Sequence, residues 1–423
     1  MFKNKVAKNA LWIIGCRVVQ AFLALVVNLL TARYLGPSNY GLISYAASLV
    51  AFVLPVMQLG INNTLVSEII ADPEKEGETI GTSIVLTSLS AIACIIAIAG
   101  FVSISNKGEK DTLIVCVLYS LLLIAQSCEL IQYWFQAKLL SKYTSLTVLG
   151  VFVVVSAYKI YLLFTQKSVY WFAVSHAIDY ILIAIFLMII YKKLGGQRFR
   201  FSLQTAKKIF SSSKHYIVAG IMGTVLAQTD RIMLKMMYGN DEVGFYSAAV
   251  SIATLSTFVF SAIIDSMRPL ILKSKEDNSE HYERHMCRLY AIIIYLALAQ
   301  SVVISAFAKH FVWLLYGEAY VPATSTLQIV VWYTTFTYIG AVRAVWILAE
   351  KKQKYLWKVS LFGMIMNICL NLVFIPLWSI KGAAIATLIT QLFSNVIVNY
   401  IIKPFRANNK LIFKGLNIKN IFK

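Results

Sequence analysis

Gly36-Pro-Ser-Asn-Tyr-Gly41-Leu-Ile-Ser44-Tyr-Ala46-Ala-Ser48 returns 203 residues later as Gly239-Asn-Asp-Glu-Val-Gly244-Phe-Tyr-Ser247-Ala-Ala249-Val-Ser251. Both glycines, both serines and an alanine keep that offset. Each copy sits between two long apolar blocks. Glycine suits either edge of a tight helix–helix turn, because it accepts backbone angles that other residues avoid. A motif that recurs at the same place relative to its apolar neighbours predicts two copies of one bundle.

The blocks themselves set the environment. Of 423 residues, 59% are hydrophobic and 14% charged, with a mean hydropathy of +0.72. A soluble domain of this size carries roughly a quarter charged residues. The apolar blocks run about twenty residues, the length a helix needs to cross a bilayer. At that depth every backbone polar group must be paired within the segment, so the blocks are expected to be helices. Reading block by block gives spans 1 to 6 at 10–32, 42–61, 79–103, 112–133, 144–164 and 169–190. Spans 7 to 12 follow at 215–238, 245–266, 289–312, 325–348, 359–378 and 383–402. The first block is too long for a signal-peptide core and lacks a cleavage site after it, so it is expected to be retained.

Charge gives the orientation. Of the 39 lysines and arginines, 28 fall on the side of the N-terminus, the central loop and the C-terminal tail. Six fall on the other side (Arg33, Lys107, Lys110, Lys167, Lys309, Lys381) and five inside spans. By the positive-inside rule both termini are expected in the cytoplasm. The net charge of +20 is thereby explained as topogenic, facing anionic membrane lipid, and calls for no nucleic acid. The expected fold class is an all-α membrane protein. About twelve transmembrane helices form two pseudo-symmetric six-helix bundles around a central cavity. The expected domains are an N-terminal bundle over 1–190, a cytoplasmic linker over 191–214, a C-terminal bundle over 215–402 and a basic cytoplasmic tail over 403–423. Because the 203-residue offset joins span 1 to span 7, the halves are parallel repeats, an arrangement found in transporters that rock two bundles about a central site.

Polar residues at membrane depth usually face a cavity or a partner. Span 1 aligns Arg17, Gln20, Asn28 and Thr31 on one face, and span 7 aligns Thr224, Gln228, Arg231 and Lys235. Span 12 carries Thr387, Gln391, Asn395 and Asn399 at intervals of four, span 11 carries Asn367 and Asn371, and span 4 carries Gln126, Glu129 and Gln136. Amides and hydroxyls suit sugars, whereas arginine and lysine suit phosphate. The candidate substrate-binding residues are Arg17, Gln20, Asn28, Gln228, Arg231, Lys235, Arg343, Asn367, Asn371, Gln391 and Asn395. Candidate ion-coupling residues are Glu129, Asp179 and Asp230, of which Asp179 and Asp230 read equally as partners for a basic neighbour. Two blander readings stand beside these: lysines near span ends, such as Lys159 and Lys235, snorkel to the interface, and amide ladders join helices.

Covalent chemistry has no visible site. There is no phosphate-cradling loop, no pair of carboxylates in an outside loop, and no metal spacing among the six cysteines. No cofactor and no metal are expected, and the chain is read as a transporter and not as an enzyme.

Particular motifs resemble a known family. Asn9-Ala-Leu-Trp12, Arg33-Tyr-Leu-Gly-Pro-Ser-Asn-Tyr-Gly41 and Leu59-Gly-Ile61 in the first half resemble polysaccharide-biosynthesis flippases of the Wzx type. Thr229-Asp-Arg231-Ile-Met-Leu and Val243-Gly-Phe-Tyr-Ser247-Ala in the second half are similar to the seventh-span signature of that family. The family lies within the superfamily of multidrug, oligosaccharidyl-lipid and polysaccharide exporters. The resemblance implies a flippase in the bacterial cytoplasmic membrane that moves undecaprenyl-diphosphate-linked oligosaccharide repeat units for O-antigen or capsule synthesis. Alternating access, ion coupling, and contact with the polymerase and chain-length machinery of the same pathway are part of that implication. Two alternatives remain at this point: a multidrug/cation antiporter of the same superfamily, and a membrane-embedded glycan-modifying enzyme.

Overall fold

The computed structural model describes the backbone of residues 2–277 and 281–418, and the side chains of 15, 16, 19–277 and 281–418. Contacts divide the chain into two compact units, Met1–Thr224 and Val225–Lys423. The boundary falls inside one long helix, Leu203–Tyr238, about ten residues beyond the linker expected from sequence.

In unit 1 the helix Phe2–Met57 turns at Gly36 and supplies spans 1 and 2. Glu76–Ser105 is span 3. Span 4 is broken into Lys110–Ser120, Leu122–Glu129 and Gln132–Ala137. Ser141–Phe164 and Val169–Lys193 are spans 5 and 6. The core gathers Ile61, Leu65, Ile131, Phe135, Leu187 and Tyr191, all under 2% exposed. In unit 2, Asn240–Thr254 and Thr257–Glu276 together make span 8, His281–Ala306 is span 9 and Thr324–Ala349 is span 10. Leu356–Leu392 turns at Ser379 and carries span 11 and the first half of span 12, which finishes in Val398–Ile401. Its core is built on Leu289, Tyr290, Ile293, Val342, Trp346 and Phe405, with Phe260 stacked on Tyr338 at 3.8 Å.

The two copies of the repeated motif adopt the same backbone state. Gly36 has φ 69° and ψ 175°, and Gly239 has φ 96° and ψ −166°, a region open essentially to glycine alone. Gly41 and Gly244 are both buried, as are Ala46 and Ala249. The sequence repeat is therefore a structural one at its turns.

Three boundaries differ from the sequence reading. Span 7 begins at Leu203, because the basic, amphipathic stretch 203–214 continues the helix. Span 9 ends at Ala306, and Ala308–Tyr316 forms a separate short helix after a break at Phe307. The linker shortens to 194–202, and it is fastened down. Gln197 accepts from the Gly77 amide at 3.1 Å and donates to the Pro73 carbonyl at 3.0 Å, while the Ser202 amide donates to Thr82 at 3.1 Å. The approach is so close that a methyl group at Gly77 or Gly81 would lie 2.5 or 2.6 Å from the Arg198 or Arg200 carbonyl oxygen.

The tail is also more ordered than its charge suggests. Arg406–Gly415 is a helix docked in unit 2, where Tyr290 donates to Asn408 at 2.7 Å and Asn399 donates to Asn409 at 2.8 Å. Lys414 pairs with Glu283. Amide side chains join this helix to the spans beside its apolar residues Leu411 and Ile412, which enter the core of unit 2.

Candidate functional site

Asp230 on span 7 is 4% exposed and sits where four spans of unit 2 converge. Its Oδ1 accepts from Asn371 Nδ2 at 2.6 Å and from Asn367 Nδ2 at 3.4 Å, both on span 11. Its Oδ2 accepts from the Tyr246 hydroxyl of span 8 at 2.5 Å and from Thr387 Oγ1 of span 12 at 2.6 Å. All four partners are neutral donors, an arrangement matched to a carboxylate that only accepts. Asn367 and Asn371 are fully buried, and Asn371 Oδ1 finds no partner among the described residues. The cage is thus a carboxylate, two amide oxygens and two hydroxyls in one buried place. Oxygen donors of this kind suit a hard cation or a proton.

The next residue faces another way. Arg231 donates through Nε to Ser247 Oγ at 3.0 Å and through Nη1 to Gln228 Oε1 at 3.3 Å, and its guanidinium lies 5.9 Å from the Tyr246 ring centroid. Gln228 and Arg231 are half-buried and Lys235 is 4% exposed. Tyr246 therefore stands between the carboxylate and the guanidinium, bonded to the first and stacked near the second.

Arg343 occupies a separate network. It is 6% exposed and donates to the Ser394 carbonyl and to Asn399 Oδ1, the latter at 3.2 Å. Ser394 lies in the widened turn Phe393–Ile397, whose five-residue hydrogen bonding aims carbonyls off the ordinary helical ladder. Asn395 donates to Gln391 at 2.8 Å and presses on Gly340. Four sequence candidates or their neighbours (Arg343, Gln391, Asn395, Asn399) are thus bonded to one another or to this turn, apart from the Asp230 cage.

Unit 1 holds Gln20, Glu129 and Asn28 on two cavities. One, of ≈ 360 Å³, is lined by Gln20, Glu129, Gln132, Gln136, Ser141 and Thr144 among others. The second, of ≈ 300 Å³, is lined by Asn28, Thr31, Tyr40, Ser156, Lys159 and His176 among others. Asn28 donates to the Tyr40 hydroxyl at 3.5 Å. Asp179 acts electrostatically on both Glu129 and Lys159, and its Oδ1 is buried with no partner among the described residues. Gln20 and Glu129 share a cavity, whereas Asn28 belongs to the other. The side chain of Arg17 lies outside the described residues.

Sequence reading missed Tyr246 altogether and noted Thr387 only as part of a stripe. The signal for Tyr246 was its position in the repeated turn motif, sixteen residues after Asp230, which brings span 8 back against span 7.

A family model described as "Polysaccharide biosynthesis protein" matches residues 6–275. The capsular polysaccharide biosynthesis protein CapF of Staphylococcus aureus is 22% identical over 410 residues, spanning 94% of this chain and 99% of that protein. A structure of the lipid II flippase MurJ in an inward closed conformation aligns with a TM-score of 0.74 at 14% identity, over 96% of this chain and 90% of that one. An inward-facing multidrug resistance transporter of the MATE family aligns with a TM-score of 0.71 at 13% identity, over 93% of this chain and 96% of that one. At these identities the two structures speak to the fold alone, an all-helical one.

Proposed function

We propose a function from one premise: the chain belongs to the family of polysaccharide biosynthesis proteins. It is a flippase that carries polyprenyl-diphosphate-linked oligosaccharide repeat units across the cytoplasmic membrane. It does so by exposing its polar faces alternately to the two sides, for assembly of a capsule or a related surface polymer. The lysine-rich side, with both termini, faces the cytoplasm.

The observation that carries the coupling part of this reading is the Asp230 cage. A carboxylate that binds spans 7, 8, 11 and 12 through neutral donors is a junction whose strength depends on its charge. Neutralising it, by a proton or a small cation, weakens its hold on those donors and frees the spans to rearrange. Asp230 is therefore the coupling group of unit 2, and Glu129 with Asp179 supplies the corresponding acidic pair of unit 1. Arg17, Arg231 and Lys235 attract the diphosphate. Gln20, Asn28 and Gln228 are the amides available to sugar in this conformation, whereas Asn367 and Asn371, buried on Asp230, and Gln391 and Asn395, bonded to each other, reach sugar only when those networks open. Arg343, already engaged with Ser394 and Asn399, reaches phosphate only when the widened turn of span 12 relaxes.

The drug/cation antiporter reading shares the fold, but basic residues on spans 1, 7 and 10 suit an anionic cargo better than a cationic one. The test uses cells that depend on this chain for surface polymer. Asp230→Asn and Arg231→Gln should each abolish surface glycan and accumulate lipid-linked repeat units, with export per molecule of membrane-inserted protein lost beyond any fall in abundance. Normal export by both variants would refute the reading, and lost tolerance to cationic drugs with intact glycan would favour the antiporter.

A further inference from the structure

The lysine-rich end of unit 2 carries a groove that neither polar network uses. It has a volume of ≈ 520 Å³ and lies between the start of span 11 and the end of span 12 with the turn Lys403–Phe405. Tyr355, Trp357, Lys358, Phe362, Ile401 and Lys403 define it, and none of the residues lining it is acidic. The walls are apolar and open: Trp357 is 52% exposed, Phe362 41% and Ile401 54%.

The cations gather at one lip. Lys358 Nζ lies 5.6 Å from the Trp357 ring centroid and 5.9 Å from that of Tyr355, and Lys354 Nζ lies 5.2 Å from the Tyr355 ring. Lys403 borders the same groove from the span 12 side. Span 11 begins here at Leu356, and no side chain caps its first amides, so the positive end of a long helix adds to the same lip. Tryptophan, tyrosine and lysine together mark the depth at which hydrocarbon gives way to head groups. An apolar trough closed by cations is complementary to one kind of molecule, an amphiphile with an anionic head.

We propose that this groove binds an anionic membrane phospholipid. Lys358 and Lys403 hold its phosphodiester, and an acyl chain lies along Trp357, Phe362 and Ile401. Basic pockets between transmembrane helices are known to take such head groups, and the bilayer supplies them in bulk. The groove joins span 11, which carries Asn367 and Asn371, to span 12, which carries Thr387, so an occupied groove also steadies the two spans that complete the Asp230 cage. The inference stands on the groove alone and does not depend on the cargo assigned above.

The test is quenching of tryptophan fluorescence in the full chain, reconstituted with brominated phosphatidylglycerol or brominated phosphatidylcholine. Phosphatidylglycerol should quench at an about five-fold lower lipid fraction for each lysine engaged. That preferential component should vanish in Trp357→Phe. In the double variant Lys358→Gln, Lys403→Gln the two lipids should quench alike, while the residual quenching of Trp357 shows that the groove persists. Unlabelled phosphatidylglycerol should restore the fluorescence, and inorganic phosphate should not. Equal quenching of the unaltered chain by both lipids would overturn the proposal. So would displacement of the brominated lipid by a polyprenyl phosphate but not by unlabelled phosphatidylglycerol, which would assign the groove to a different amphiphile.

Discussion

Asp230 shows how one residue fixes several helices. Burying a carboxylate at membrane depth is costly unless donors replace the water it loses, and here Tyr246, Asn367, Asn371 and Thr387 do so. Hydrogen bonds to a charged group contribute about 1.5–3 kcal/mol each. Tyr246→Phe removes one of the shorter bonds and should destabilise the detergent-solubilised chain by about that amount, read as a lowered Tm. Asp230→Asn should cost about as much or more, because an amide offers one acceptor oxygen to donors that now face its own N–H groups. Thr387→Val tests the same cage from span 12 and should resemble Tyr246→Phe. If all three variants melt like the parent chain, the cage does not hold the spans. A second carboxylate, Glu350, lies beyond the end of span 10 and responds to pH. Burial pushes it up, but the Lys275 ammonium at 2.6 Å, the Tyr282 hydroxyl at 3.1 Å and Lys352 at 3.8 Å outweigh burial and hold it below its ordinary 4.5. A carboxyl lowered by folding stabilises the folded chain above its unfolded value, and that contribution is lost as pH falls through the lower, folded value. Much of the group remains open to solvent, so the effect is under about 1 kcal/mol after screening. Glu350→Gln should therefore melt slightly below the parent at neutral pH and converge with it as the pH falls below about 4.5, where the parent loses this contribution.

Elements are where the sequence was most legible. The turn after span 1 and the turn after span 7 were readable because their chemistry is local: a glycine, a short polar run, a second glycine. The structure gives both leading glycines the same rare backbone state, and neither has a neighbour within 4 Å of where a Cβ would stand. The cost of Gly36→Ala or Gly239→Ala is then purely conformational, about 1–3 kcal/mol, and should be similar for the two. Equivalent Tm losses in the two single variants check this, and a loss at one site alone would break the equivalence of the repeats. Gly77 and Gly81 are different, since their neighbours are backbone carbonyls of the strap 194–202. Gly81→Val should lift that strap from span 3, costing about 1–3 kcal/mol as overpacking, and should expose 194–202 to protease. The cage was much less legible. Its amides and carboxylate appear in the sequence as three separate stripes, and only tertiary packing brings spans 7, 8, 11 and 12 to one point. Arg343 illustrates the same limit in reverse: its charge is plain in the sequence, but its partner is the carbonyl of a widened turn, which no local residue pattern announces.

For the whole molecule, the asymmetry of charge is the property to be tested, because orientation follows from it and the direction of transport follows from orientation. The helix breaks observed in the structure fall where the charges alternate. Turns at Leu139 and Lys351, each with positive φ, lie on the lysine-rich side, whereas those at Gly108 and Gln166 lie on the sparse side. Each basic residue near a span end is attracted by the anionic cytoplasmic leaflet and resists translocation, so the bias accumulates over the short loops. Reporter fusions read it directly. Alkaline phosphatase joined after residue 109 or 167 should be active, and joined after residue 139, 352 or 418 it should be inactive. A fluorescent protein that folds only in the cytoplasm should give the complementary pattern. The fusion after residue 418 matters most. The helix Arg406–Gly415 is bonded to the start of span 9 through Tyr290 and to the end of span 12 through Asn399, so the end of that helix reports the side on which span 9 begins and span 12 finishes. An active phosphatase there would invert the whole assignment: the lysine-rich lip of the groove would face outward and the proposed direction of export would fail with it. An inactive one, with active fusions at 109 and 167, places the groove, the strap and both termini at the leaflet from which a lipid-linked cargo must start.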